Sequence, residues 1–239
     1  MFTAEHFIWL AICAAFIAVM TAVSVKKNFG LKLAGGIMVG FCIVSETGKV
    51  MSNMLESVKG GMHLDPLCLP FHLCSLMLFV VFYITFGKDG KPKQMCINFL
   101  SVMGTVGSFF ALLIPTNGVD FLDILSYQCF VYHAALMWFA IYLIATKKAK
   151  LGFKSWATNL SVLAAVTFLM LYVNSALSVY DTNFFYLTRP PMEGLPILNL
   201  DNGWYVYFLT LAAIGVSLVT LFHLPFIIAE AKSNKKADR

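Results

Sequence analysis

His72, Cys74 and His133 stand in stretches of chain that are otherwise apolar. A thiol beside an imidazole is a pairing that makes a nucleophile. The ring nitrogen takes the S–H proton and later returns it to a leaving group. His72 and Cys74 are two positions apart and fall on different helical faces, so a Cys74 nucleophile would look to His133, with His72 the other candidate base. Neighbouring segments add polar groups. Glu46, Lys49 and Asn53 are spaced by three and four, hence on one face, and Glu46 could orient a histidine. Ser75, Gln128, Cys129, Asn174 and Ser178 complete the set. Asn174 or backbone amides would hold an oxyanion, and Arg189 would meet a phosphate headgroup. Gln128 and Lys49 are further substrate-binding candidates.

Each of these residues also has a structural reading. Glu46 and Lys49 can neutralise each other and lock two helices together. His72, two residues after Pro70, can hydrogen-bond a neighbouring helix, and His133 can be satisfied inside a bundle. Asn174 can be interhelical glue, and Cys74 can be packing. Two histidines and Glu46 could in principle bind zinc, but the next nitrogen, His63, falls in a loop, and no metal or cofactor is expected. His6 lies elsewhere, and His223, beside Pro225, reads as interfacial. The six cysteines at 13, 42, 68, 74, 96 and 129 show no CxxC spacing, which argues against a disulfide framework or a thiolate zinc site.

The elements that position these groups follow from composition. The 239 residues are 59% hydrophobic and 12% charged. Soluble domains carry about 25% charged residues, so this chain lacks the polar surface a water-soluble globule needs. Long continuous apolar stretches then specify membrane helices rather than a barrel. The pattern predicts one all-α membrane domain over 1–239, with seven spans at about 6–25, 32–53, 67–86, 95–114, 126–146, 155–179 and 203–229. The second span carries Glu46 and Lys49 and is the least apolar. It is required because only then do lysine-rich and acidic loops alternate. Lysines cluster at 26–32, 88–93, 147–154 and in the tail, which the positive-inside rule places in the cytoplasm, with the N-terminus outside. The formal charge of +5 is thus a topology signal, and no nucleic-acid partner is expected. Glu5 precedes the first apolar run and the lysines follow it, the reverse of a cleaved signal peptide. With this topology the polar groups of four helices share one depth, in the outer half of the bilayer. The outer loop at about 180–202, rich in aromatics and prolines, reads as interfacial; folding back over a cavity is the alternative. The last helix has no lysine of the retinal-binding kind.

Leu69-Pro70-Phe71-His72-Leu73-Cys74 resembles the LPxHLC signature of the YwaF family of bacterial integral membrane proteins. Gln128-Cys129-Phe130-Val131-Tyr132-His133 is similar to that family's Q-x-x-x-x-H segment. Asn174 with Asp181-Thr182-Asn183-Phe184-Phe185-Tyr186-Leu187 and Arg189-Pro190-Pro191 resembles its N…TNYMYL…KP segment, and Trp204-Tyr205 through Leu224-Pro225-Phe226 its last helix. The resemblance covers about 65–228. It implies a bacterial plasma membrane location and a relationship to transmembrane protein 164, an acyltransferase acting on ether phospholipids. A more distant likeness is to androgen-induced gene 1 proteins, which hydrolyse lipid esters with an intramembrane Cys or Thr and a His. That implies Cys74 with His72 or His133 as site residues and membrane lipids as partners. Many YwaF-like sequences have Asp where this chain has Ser75, a departure that removes a carboxylate. The expected function is a lipid acyl hydrolase or acyltransferase with an outward-facing Cys/His site. The alternative is a non-catalytic transporter or partner subunit that binds a small ligand or lipid in a polar cavity.

Overall fold

The computed structural model describes residues 2–57, 64–116, 118–192 and 194–237, and of residues 53, 55–57, 236 and 237 the backbone alone. Expectations that rest on Glu56, Lys59, His63, Glu193 and Arg239, or on the Asn53 and Lys236 side chains, lie outside the described residues.

Among the described residues the chain forms seven α-helices and no strand. They are α1 (Ala4–Lys26), α2 (Leu31–Ser57), α3 (Leu73–Phe86), α4 (Lys91–Leu113), α5 (Ile124–Ala145), α6 (Phe153–Ala176) and α7 (Trp204–Ala237). All but α3 are long and apolar enough to cross a bilayer. The protein is therefore a multi-pass helical membrane protein.

The third element departs from expectation. It begins at Leu73 rather than near residue 67, and its 14 residues rise about 21 Å, short of a hydrocarbon core of about 30 Å. The cause is local. Leu69 precedes Pro70, whose ring excludes the helical conformation from the residue before it, and Leu69 sits at φ −58°, ψ 145°. A 3-10 turn over Pro66–Cys68 and an extended stretch to His72 precede the helix. At the other extreme, α7 continues past Pro225 to Ala237 instead of stopping near 229.

The centre of the bundle is the α4–α5 pair. Phe130, Leu136, Trp138, Phe139 and Tyr142 of α5 are fully buried, so this helix touches protein nearly all round. Helix α1 lies along α5, α2 bridges α5 and α3, and α3 packs on α2 and α4. Helices α6 and α7 pair with each other and reach the rest mainly through α4.

Contacts between named residues give the helix directions. Trp9 of α1 stacks on Phe130, near the start of α5, while Tyr142 near its end bonds the Phe29 carbonyl. Gln94 and Asn98 at the start of α4 bond the chain just after α5. Glu230 of α7 accepts from Phe153 N at the start of α6. One end of the bundle thus gathers the lysine-rich turns, and the other gathers the starts of α3, α5 and α7 with the ends of α2, α4 and α6.

Candidate functional site

At the end away from the lysine-rich turns the bundle holds a cavity of about 760 Å³. It is lined by Lys49 of α2, His72, Cys74 and Ser75 at the start of α3, and Gln128, Cys129 and His133 of α5. Leu211, Ile214 and Leu218 of α7 form its apolar wall, and Phe185 and Tyr186 of the long loop also line it. Gly107 of α4 stands beside the thiol; a Cβ there would lie 3.8 Å from Cys74 Sγ, so its lack of a side chain leaves the space next to sulfur open.

The short third helix decides how Cys74 is presented. His72 is its N-cap, at φ −68°, ψ 149°, and gives no side-chain cap. Leu76 N–H closes the first turn on His72 O at 2.9 Å. The amides of Leu73, Cys74 and Ser75 make no hydrogen bond among the described residues. Cys74 therefore sits in the first turn of a helix whose N–H groups are unfilled, the end of the helix dipole that favours negative charge. Its own carbonyl accepts from Tyr132 Oη at 2.6 Å, which ties α3 to α5.

His133 is oriented by its own helix. Nδ1 lies 2.7 Å from the Cys129 carbonyl. A carbonyl only accepts, so Nδ1 carries the proton, and in the neutral ring Nε2 holds the lone pair. Nε2 has no hydrogen-bond partner among the described residues. Cys129 Sγ is 3.7 Å from Nδ1, but the nitrogen it faces carries a proton and cannot take the thiol's. Cys74 makes no hydrogen bond to either imidazole among the described residues; thiol and ring share the cavity and are not yet joined.

The other expected residues divide. Lys49 bridges Glu46 at 2.7 Å and reaches Ser75 Oγ at 3.4 Å, so the two intramembrane charges satisfy each other at the cavity wall. Gln128 Nε2 donates to Ser45 Oγ at 2.7 Å. His72 is bracketed by aromatic rings, 5.3 Å from Phe184 and 5.6 Å from Tyr186 between centroids. Asn174 is not in the cavity lining. Its Nδ2 donates to Phe184 O at 3.0 Å and its Oδ1 accepts from Phe184 N at 2.9 Å, so the amide is spent on pinning the loop. Arg189 is held by the Asp181 carboxylate and carbonyl outside the cavity. His223 is fully buried within the bundle. Its Nδ1 bonds Val219 O at 2.9 Å and its Nε2 faces Asn159 Nδ2 at 3.3 Å. Among the described residues no three His, Cys, Asp or Glu side chains gather as a metal site.

The middle of the long loop folds inward, the alternative weighed for it, while Val179, Tyr180 and Ile197 stay exposed. Phe184 is fully buried, and Phe185 and Tyr186 follow it with φ of 60° and 55°. Two adjacent aromatic residues in the left-handed region cost about 1–3 kcal/mol each and persist only where surroundings impose them. Those surroundings are Asn174 on Phe184, Tyr207 Oη donating to Tyr186 O, and Trp204 Nε1 donating to Leu187 O at 2.8 Å. Tyr186 and the α7 wall escaped the sequence reading. The signal was present in Asp181–Leu187, but nothing in its composition tells an interfacial aromatic from one turned inward.

The model of the TMEM164 family matches residues 1–223, so the chain belongs to that family. This agrees with the relationship expected from the motif at the start of α3. No curated protein and no solved structure matches the chain.

Proposed function

From that family membership, we propose that the protein is a lipid acyl hydrolase or acyltransferase working in the plasma membrane of a bacterium, with Cys74 as nucleophile and His133 as base. The observation that carries the reading is one cavity holding a thiol at an unfilled helix start and an imidazole whose free nitrogen is a lone-pair nitrogen. In the first step Cys74 gives its proton to His133 Nε2 and its sulfur bonds the acyl carbonyl carbon. The carbonyl π pair moves to oxygen, where the first-turn amides of α3 receive the charge. Collapse breaks the bond to the alcohol oxygen, which leaves with the proton from Nε2. A hydroxyl-bearing lipid or water then gives its proton to Nε2 and attacks the thioester, the C–S bond breaks, and the sulfur takes that proton back from Nε2. Substrate binding has to bring thiol and ring together, as catalytic hydrogen bonds often tighten only in the complex. Cys129 does not compete, because the nitrogen next to it is an N–H that donates to the Cys129 carbonyl and cannot take the thiol's proton.

The apolar α7 wall supports a membrane lipid as the substrate. Helices α3 and α7 share no extensive packing, which suits entry of a hydrocarbon chain between them from the bilayer. Cys74→Ala is expected to abolish release or transfer of a radiolabelled acyl group from lipid vesicles while the protein still inserts. Full turnover in Cys74→Ala would remove the thiol from the mechanism and leave a histidine-lined binding pocket. We further propose that the cavity end faces outward. A membrane-impermeant maleimide added to cells should then label an Ile197→Cys thiol and spare Lys150→Cys; the opposite pattern would reverse the orientation.

A further inference from the structure

The proposed chemistry accounts for the thiol, the imidazole and the helix start, but not for the two left-handed aromatics at the cavity. A fold with Asn or Gly at 185 and 186 would close the same loop without strain. Here the backbone is forced, and the force comes from three side chains on two helices: Asn174 of α6, and Trp204 and Tyr207 of α7. What this arrangement achieves is the direction of the Tyr186 side chain. Its ring enters the cavity beside His72, and its hydroxyl, hydrogen-bonded with Thr116, belongs to the same cavity as the Cys74 and Cys129 thiols.

We propose that Tyr186 is a catalytic residue, its phenol O–H donating a hydrogen bond to the carbonyl oxygen of the acyl ester as Cys74 attacks. The inference rests on the Cys74 reading and adds a further donor to the oxyanion site of the α3 amides. The donor neither gains nor loses its proton in the step; it stabilises the negative charge that the C–S bond creates on oxygen. Burial pushes the Tyr186 hydroxyl up from its ordinary value, so it remains an O–H across physiological pH. Preorganisation explains the strain: a phenol whose ring is already fixed in the cavity has little reorientation to make when the charge appears.

The test separates this role from a structural one. Tyr186→Phe keeps the ring against His72 and keeps the backbone carbonyl that Tyr207 donates to, and removes only the hydroxyl with its bond to Thr116. The full-length protein in detergent micelles is treated with p-nitrophenyl palmitate, and acylation of Cys74 is followed by intact mass. In parallel, alkylation of Cys74 by iodoacetamide is timed; that reaction passes through no oxyanion. Tyr186→Phe should slow acylation by about 100-fold, the loss typical of a single oxyanion donor, and leave alkylation unchanged. Equal slowing of both reactions would make Tyr186 a packing residue, and unchanged acylation would remove it from the site; either result overturns the inference while leaving Cys74 in place. An acyl adduct absent from the native chain, or one that persists in Cys74→Ala, overturns the nucleophile assignment and the donor with it.

Discussion

His133 and His223 begin from the same local arrangement and end in opposite conditions. Each lies in a membrane helix and bonds its Nδ1 to the carbonyl four residues earlier, at 2.7 Å for Cys129 and 2.9 Å for Val219. At the lysine-rich end, His223 Nε2 is met by Asn159, whose amide also reaches Asn98 O. Gln94, Asn98 and the Lys150 amide continue that network, and Trp156 bonds Thr220 nearby. At the other end, His133 Nε2 has no hydrogen-bond partner among the described residues, and its ring lines the cavity that Cys74 also lines. A helix can prepare the tautomer of a histidine by itself, but whether the second nitrogen becomes a bridge or a base is set by what a different helix puts opposite it. The backbone follows the same division. The lysine-rich end spends its side chains on joining helices, whereas the cavity end spends Asn174, Trp204 and Tyr207 on holding a strained loop over a space.

The most severe test of that contrast exchanges the two histidines' fates. His133→Gln should lower acyl release by about 10²–10⁴-fold, the range for losing a general base, with little change in thermal unfolding. His223→Gln should do the reverse, lowering stability by about 1–3 kcal/mol through a buried polar group left without its partner, while activity per folded molecule stays near that of the native chain. Radiolabelled acyl release and thermal unfolding in micelles measure the two; a His223 variant that loses activity while fully folded would collapse the distinction between the ends. A smaller effect sharpens it. A Cβ on Gly35 would overlap the Thr85 hydroxyl, where α2 crosses the end of α3. Gly35→Ala should therefore destabilise by about 1–3 kcal/mol, the usual cost of overpacking. Because Gly35 lies far from the cavity end of α2, activity of the surviving folded fraction should be intact, and a loss of activity beyond the loss of folded protein would tie the packing of α2 on α3 to the chemistry.

Much of the architecture could be read in the sequence because lipid imposes strong rules. Low charge density and long apolar runs demand helices, and alternating loop charge required the 32–53 span despite Glu46 and Lys49, which the structure pairs at 2.7 Å. The shared face of Glu46 and Lys49 and of Cys129 and His133 is a matter of three- and four-residue spacing, so it too was readable. The Pro70 break was visible, but not that it would strip α3 back to Leu73 and leave Cys74 in an unfilled first turn. Asn174 shows the limit most clearly. As a residue type it suited an oxyanion site equally well, and only the return of the loop to place Phe184 against it committed both its amide atoms elsewhere.

Sequence alone therefore determined what acts along one helix: element type and the faces that residues share, both set by spacing within a turn or two. The tertiary structure decided which nitrogen stays free, which amide is spent, and which aromatic turns inward. Those outcomes depend on contacts between segments far apart in the chain, and a residue's own type and spacing carry no information about what another helix will place across from it.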